Sequence, residues 1–209
     1  MHANATTIEI TEPKRFTFGA VVAVNAYGLL LVAPLFISIL VVSLIKFGLL
    51  TVLIPFLVVA ATAYVLPFGL GNAHIARLVR SITPAATKNG EGFIVQLTLW
   101  PRLRSGLRAI LEDADDIGYL SFNEEELLFQ GDSVKLSIPL DRITQVYPHN
   151  VGLRGRFVYG RRIKVVVSGS PQLESFEVAE RSSLLLPKSR AITKRLFARL
   201  SPKTRQEAP

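Results

Sequence analysis

The residues of this chain best suited to chemistry are four carboxylates within a run of five residues near its middle. They are Glu112, Asp113, Asp115 and Asp116. Carboxylate oxygens are preferred ligands of Ca²⁺ and Mg²⁺, which makes Asp113, Asp115 and Asp116 a weak candidate for a cation site. The run lacks the central glycine and terminal glutamate of an EF-hand loop, so the expectation is that no metal binds. The alternative is a solvated acidic loop, or one that pairs with arginines just before it.

Basic residues form two further candidate sets. The first set, before the acidic run, is Arg102, Arg104 and Arg108. The second set, in a glycine-containing stretch, is Arg154, Arg156, Arg161, Arg162 and Lys164. The planar guanidinium group binds phosphate and carboxylate oxygens bidentately, so both sets are predicted to bind anionic lipid headgroups or a protein partner. The alternative is a solvated basic face that balances the acidic run.

The chain lacks the residue combinations that enzymes use. It contains no cysteine, which excludes a disulfide scaffold, a thiolate metal site and a cysteine nucleophile. Its three histidines are His2, His74 and His149, and their spacing does not match that of metal ligands. We therefore predict that the protein is not an enzyme and uses no cofactor.

The charge of the chain indicates the chemistry of its partners. The net charge is +8, and residues 77–209 contribute most of it, with 21 Lys or Arg against 14 Asp or Glu. Such a domain favours anionic partners, such as lipid headgroups or an acidic protein face. A domain held close to a bilayer meets lipid before nucleic acid, so no nucleic-acid partner is predicted.

Two long uncharged segments precede this basic region. No charged side chain occurs from Thr17 to Ile45 or from Phe47 to Ala73. About 20 apolar residues span the hydrocarbon core of a bilayer, so the range 17–73 predicts a two-helix transmembrane hairpin that turns near Lys46. Because basic residues flank both outer ends, the positive-inside rule predicts a multi-pass protein of the inner or plasma membrane with both termini in the cytoplasm.

The remaining residues alternate between apolar and polar types over short runs. Phe93, Val95, Leu97 and Leu99 share one face of a predicted strand that ends at Trp100. Further strands are predicted at 118–122, 127–129, 134–140, 141–146, 156–159, 161–167 and 175–178, with a turn at Gln130–Ser133. A four-residue apolar spacing that begins at Pro187 predicts an amphipathic C-terminal helix.

These patterns predict a membrane α-helical hairpin followed by an α+β soluble domain. The predicted divisions are a cytoplasmic tail (1–16), the hairpin (17–73), a linker (74–92), the domain (93–200) and a disordered tail (201–209). The domain is predicted to be an antiparallel sheet, or a partly open barrel, that the C-terminal helix closes. The order of the strands before Gly118 is left open.

The stretches Gly118–Phe122, Glu126–Phe129 and Ile138–Ile143 resemble the core of pleckstrin-homology-like (PH-like) domains of the bacterial PH and GRAM type. The resemblance covers roughly residues 93–200 and includes an Ile-Pro-Leu step, Ile138–Leu140, followed by Ile143. It implies a non-catalytic, membrane-anchored module that binds an anionic headgroup or a protein partner. The alternative function is a structural protein that forms homo-oligomers through its hairpin.

Overall fold

The computed structural model describes residues 5–24, 26, 37–41, 53, 56–57, 69–85, 92–104, 106, 114–149 and 162–201. Within these residues the chain forms an eight-stranded antiparallel sheet and two long helices. The strands are β1 (Thr7–Ile10), β2 (Gly92–Trp100), β3 (Asp116–Phe122), β4 (Glu126–Gly131), β5 (Val134–Pro139), β6 (Ile143–His149), β7 (Arg162–Val167) and β8 (Ser175–Glu180). The helices are α1 (Gly69–Ile82) and α2 (Leu186–Leu200), and the 3₁₀ turn Leu140–Arg142 connects β5 to β6.

The sheet curls around a single hydrophobic core. Its strand order is β1-β5-β4-β3-β2-β8-β7-β6, so β1 and β6 are the edge strands. Phe129 and Leu136, from one half of the sheet, share this core with Ile163 and Val165 from the other half. Side chains from both halves can meet only if the sheet bends strongly. The C-terminal helix α2 packs Leu196 and other apolar side chains into the same core.

Strand β2 follows the alternation that its sequence predicts. Val95, Leu97 and Leu99 are buried in the core, and the strand ends at Trp100 as expected. The side chains between them, including Gln96 and Thr98, are also buried, at 1% and 2% exposure. Both faces of β2 are therefore covered, which the single-face alternation did not indicate.

Two further predictions of local structure are confirmed. The turn predicted at Gln130–Ser133 contains the two-residue connection Asp132–Ser133 between β4 and β5, with Gln130 and Gly131 at the end of β4. Helix α2 begins at Leu186 with a proline in its first turn. Proline is tolerated there because N–H groups of the first turn have no acceptor within the helix.

A second layer covers the outer face of β2 and β3. Residues 18–24 are helical, and they pack Val21 and Val24 beside Ile75 and Val79 of α1. These side chains join Ile117 and its neighbours on the sheet in a second apolar cluster. The two ends of the long apolar range 17–73 thus meet on the same face of the sheet.

The transmembrane hairpin predicted for residues 17–73 is a wrong prediction. Among the residues that the structure describes, no helix is both long and apolar enough to cross a membrane. The predicted multi-pass placement in an inner or plasma membrane is corrected with it. At the C-terminal end of that range, α1 is an amphipathic helix that carries His74, Arg77 and Arg80 and packs on the sheet. The remainder of the predicted hairpin, residues 25, 27–36, 42–52, 54–55 and 58–68, lies outside the described residues.

The N-terminal segment, predicted as a tail, contributes a strand. Residues Thr7–Ile10 pair in antiparallel register with β5, from Thr7 opposite Ser137 to Ile10 opposite Val134. Beyond β1, the carboxylate of Asp132 accepts hydrogen bonds from the backbone N–H groups of Arg15 and Phe16, each at 2.7 Å. The predicted linker (74–92) likewise contains most of α1 rather than only irregular chain.

Candidate functional site

The structure describes only part of the predicted site residues. Those outside the described residues are Arg108, Glu112, Asp113, Arg154, Arg156 and Arg161. Those described are Arg102, Arg104, Asp115, Asp116, Arg162 and Lys164. The described residues fall into two clusters that differ in burial and in the use of their polar groups.

The first cluster, called here the Asp115 cluster, consists of Arg102, Arg104, Asp115 and Asp116. The Asp115 carboxylate is fully buried and accepts hydrogen bonds from the backbone N–H groups of Leu99, at 2.8 Å, and Arg104, at 3.0 Å. The Arg104 guanidinium donates to the Asp115 carbonyl at 2.7 Å and to the Ser133 hydroxyl at 2.8 Å. These bonds tie the end of β2 to the start of β3 and to the β4–β5 turn.

Burial dominates the electrostatics of Asp115. It raises the pKa of the carboxyl, while the two backbone N–H groups and the charges of Arg102 and Arg104 act in the opposite direction. Asp115 is thus buried rather than part of a solvated loop, and the Arg104 guanidinium contacts it at the backbone carbonyl. Because these side chains are hydrogen-bonded to backbone groups, they hold the backbone in place.

Asp116 is the most perturbed carboxyl of the cluster. One of its oxygens accepts the backbone N–H groups of Ser133 and Val134, at 2.8 and 2.7 Å. The other oxygen, Oδ1, is buried and has no hydrogen-bond partner in the part of the chain described. Burial, together with the negative charge of Asp132, raises the pKa of Asp116 to about 6 against the lowering effect of the N–H groups.

The geometry gives no support to the weak cation site. Within the described residues, no group of three His, Cys, Asp or Glu side chains could hold a metal ion. Asp115 and Asp116 use carboxylate oxygens to bind backbone N–H groups instead. Asp113, the third candidate ligand, lies outside the described residues.

The second cluster, called here the Lys164 face, lies on the outer face of β2, β8, β7 and β6. Its members are Trp100, Tyr147, His149, Arg162, Lys164 and Glu177. Strand alternation places them there, because Ile163 and Val165 point into the core and Arg162 and Lys164 therefore point outward. Across the strands, Tyr147 is opposite Lys164, which is opposite Glu177.

Glu177 is the centre of the Lys164 face. Its side chain is 4% exposed, with one oxygen 2.7 Å from His149 Nδ1 and the other 3.6 Å from an Arg162 guanidinium nitrogen. Arg162 is itself 5% exposed, whereas the His149 side chain is 33% exposed. The buried carboxylate thus orients a buried cation and a half-exposed imidazole.

Lys164 is directed away from its cross-strand carboxylate. Its ammonium lies over the ring of Trp100, with Nζ 5.3 Å from the ring centroid, a cation–π geometry. Both oxygens of Glu177 already face His149 and Arg162, which explains why Lys164 turns to the indole. Tyr147 stands edge to face with His149 at 6.4 Å between ring centroids, so two aromatic side chains border the basic groups.

The pairing of Glu177 with His149 and Arg162 was not predicted from sequence. Glu177 lies on a different strand from both residues, and only the strand register brings them together. The alternation of Arg162 and Lys164 with Ile163 and Val165 was the available signal, because it places the two cations on one face of β7. The partner carboxylate had no such local signal.

A buried polar network beside β2 was also missed. Arg181, 2% exposed, donates to the side chain of Gln96 and, at 3.1 Å, to the side-chain oxygen of Asn72. The Asn72 amide in turn donates to the Ser183 carbonyl at 2.7 Å. This network fixes α1 to the sheet, which gives Asn72, predicted to lie at the end of the apolar hairpin, a structural role.

The two predicted basic sets are on separate parts of the sheet. Through β8, Ile163 lies level with Leu97 of β2, and Arg102 follows beyond the end of that strand. The Arg104 guanidinium contacts the Asp115 carbonyl and the Ser133 hydroxyl, which are not part of the Lys164 face.

Comparison with known proteins gives no relative from which a role for these residues could be taken: no family model, no curated protein and no solved structure matches this chain.

Proposed function

We propose that this chain is a non-catalytic, PH-like module that binds an anionic group, carried by a lipid or by a protein, through its Lys164 face. The observation that carries the proposal is the position of Lys164. Its ammonium is next to an exposed aromatic ring rather than next to Glu177, its cross-strand neighbour. A cation held in this way is oriented, partly exposed and able to receive an incoming anion.

The architecture supports the PH-like part of the proposal. Among the described residues, seven strands, β2 to β8, curl around one core, and helix α2 follows them and packs into that core. This order agrees with the resemblance of residues 93–200 to bacterial PH and GRAM domains. The strand β1 is an addition at the β5 edge that the resemblance does not imply.

The sequence adds further positive charge next to the face. His149 and Arg162 are cross-strand neighbours, and the twelve residues that connect them, 150–161, include Arg154, Arg156 and Arg161 but no acidic residue. The planar guanidinium group of arginine can donate two parallel hydrogen bonds to phosphate or carboxylate oxygens. An anion that reaches Lys164 would therefore lie near the described strand ends His149 and Arg162, between which these arginines occur in the sequence.

The contacts of Glu177 orient the basic groups of the face toward a binding partner. The imidazole and the carboxylate that could act as a general base contact each other, and Glu177 also faces Arg162. These contacts fix the orientation of the His149 ring and the Arg162 guanidinium. The alternative function, assembly through a transmembrane hairpin, depends on a hairpin that the described residues do not form.

Sedimentation with vesicles tests the lipid form of the proposal. The full chain would be mixed with neutral phosphatidylcholine vesicles or with vesicles that also contain phosphatidylserine, over a series of salt concentrations. Soluble polyglutamate, added as competitor, tests the protein form. We expect binding to an anionic probe that weakens as salt rises, because exposed charges are screened within about 10 Å at 0.1 M salt.

Two matched lysine variants connect the measurement to the face. Lys164→Gln should weaken the binding, whereas Lys135→Gln should not, because Lys135 is an exposed residue of β5 that pairs with Glu9. The proposal would be overturned if the chain bound neither the anionic vesicles nor polyglutamate. Binding that both variants retain in full would place the anion site elsewhere.

A further inference from the structure

On the Lys164 face, one basic side chain, Lys164, lies between two exposed aromatic side chains, Trp100 and Tyr147. Trp100 is 42% exposed and Tyr147 is 38% exposed, and both point from the same outer face. The Lys164 ammonium lies on the Trp100 side of the space between them. Exposed aromatic residues beside a cation, on a floor of buried polar groups, are typical of a recognition surface.

The dimensions of this arrangement follow from the strand register. Trp100 is opposite Ser175 on β8, which is opposite Val166 on β7, whereas Tyr147 on β6 is opposite Lys164. Three inter-strand steps of ~4.8 Å and an offset of two residues separate the Cα atoms of Trp100 and Tyr147 by roughly 16 Å. In an extended peptide, side chains at positions i, i+2 and i+4 share one face and cover about 13 Å.

We propose that the Lys164 face binds an extended protein segment in which an anionic side chain is flanked, two residues away on each side, by apolar side chains. The anionic group contacts Lys164, one apolar side chain packs on Trp100, and the other packs on Tyr147. This assignment rests on the proposed function, because it specifies the partner of the same face.

The floor of the site explains why the central side chain must be anionic. Glu177 already faces the Arg162 guanidinium and the His149 ring with its two oxygens. Lys164, in contrast, contacts a ring that has no formal charge. A carboxylate or phosphate of the partner gains a charge-assisted bond there that a neutral side chain cannot provide.

The aromatic residues give the site its second requirement. An anion alone leaves the exposed faces of Trp100 and Tyr147 in water, whereas apolar side chains on both flanks remove them from water. Specificity therefore depends on the spacing of apolar and anionic groups and not on charge alone. A lipid headgroup supplies the anion without this spacing.

The single tryptophan of the chain provides the measurement, because Trp100 lies in the proposed site and no other residue contributes indole emission. The probe is a nine-residue synthetic peptide with a central glutamate, phenylalanine and leucine two residues to either side, and serine or glycine elsewhere. We expect saturable change in the emission of the full chain. A fluorescein-labelled copy of the peptide gives Kd independently by fluorescence polarisation.

Control peptides and variants separate charge from apolar contact. Glutamine in place of the glutamate should raise Kd by roughly tenfold or more, as expected for a lost charge-assisted contact. Lys164→Gln should produce a similar loss with the original peptide, and Lys135→Gln should not. Serine in place of both apolar residues, or Tyr147→Ser in the protein, should also weaken binding.

The outcomes distinguish this inference from the proposed function. Equal affinity for the glutamate and glutamine peptides, or equal effects of the two lysine variants, would overturn the inference. Lys164-dependent binding to anionic vesicles without any response to the peptide would overturn it as well, while the proposed function would stand. Absence of binding to vesicles, polyglutamate and peptide would overturn both.

Discussion

The Asp115 cluster and the Lys164 face are built from the same kinds of groups, yet their polar groups are used differently. In the Asp115 cluster, the carboxylates accept backbone N–H groups and the Arg104 guanidinium donates to a carbonyl and a hydroxyl. In the Lys164 face, Glu177 faces the side chains of His149 and Arg162, and Lys164 lies against an exposed ring. The comparison teaches that arginine and carboxylate content alone does not identify a binding surface.

The largest effect expected from this comparison is on stability, at Asp115. Asp115→Ala removes the acceptor of two buried N–H groups and a negative charge beside Arg102 and Arg104. We expect a loss of about 3–5 kcal/mol in the free energy of unfolding, measured by chemical denaturation. Asp141→Ala, at an exposed aspartate, is the control. A loss below about 1 kcal/mol would mean that the cluster is not structural.

A smaller loss is expected at the centre of the Lys164 face. Glu177→Gln preserves the shape of the side chain but removes the charge that faces Arg162 and His149. We expect about 2–3 kcal/mol of destabilisation, because the buried guanidinium loses a carboxylate partner. Glu9→Gln breaks an exposed pair with Lys135 and should cost under about 1 kcal/mol. If the two variants have equal stability, the Glu177 contacts are not stabilising.

The third prediction concerns the pH dependence of the Asp115 cluster. Because the folded-state pKa of Asp116 is raised to about 6, the stability from this group is present at low pH and lost as pH rises through that value. Asp116→Asn is permanently neutral and retains an oxygen for the Ser133 and Val134 N–H groups. It should be more stable than the unmodified chain by on the order of 2 kcal/mol at pH 8, with little difference near pH 4.

Denaturation curves at several pH values measure this difference. Asp141→Asn serves as the exposed control and should follow the unmodified chain at every pH. Stability curves of Asp116→Asn and the unmodified chain that stay parallel from pH 4 to pH 8 would show that Asp116 does not titrate in this range.

The smallest stability effect is expected at Lys164, although its effect on binding should be the largest. Lys164→Gln removes a partly exposed cation–π contact, which contributes about 0.5–1 kcal/mol. The thermal midpoint should therefore change little while binding to anionic probes is lost. A large drop in stability would instead place Lys164 with the structural residues of the Asp115 cluster.

Local patterns in the sequence predicted much of the sheet. The alternation in β2, the Gln130–Ser133 turn and the helix that begins near Pro187 all depend on residues close together in the chain. The role of β1 was not predictable in this way, because its four residues become a strand only by pairing with Val134–Ser137. The uncharged length of 17–73 also misled the interpretation, because apolar side chains at its described N-terminal end, including Val21 and Val24, pack on the sheet instead.

The sequence predicted the basic residues of the candidate site, but it did not predict which side chains they contact. Residue type identified Arg162 and Lys164, but the same reasoning grouped them with Arg102 and Arg104, which the register places elsewhere. Glu177, Trp100 and Tyr147 come from three other strands, so their proximity to Lys164 is a property of the sheet. Spacing along the chain carries no information about such contacts.

The pairing of β1 with β5 has a consequence for synthesis of the chain. Residues Thr7–Ile10 leave the ribosome long before their partners Val134–Ser137 exist, so this edge of the sheet is closed late. Until β1 pairs with β5, the β4–β5 hairpin has one unpaired edge. An unpaired strand edge can form hydrogen bonds with another chain. β1 therefore has no partner until β5 has been synthesised, and the pairing of these two strands ends the interval in which nascent chains can associate through that edge.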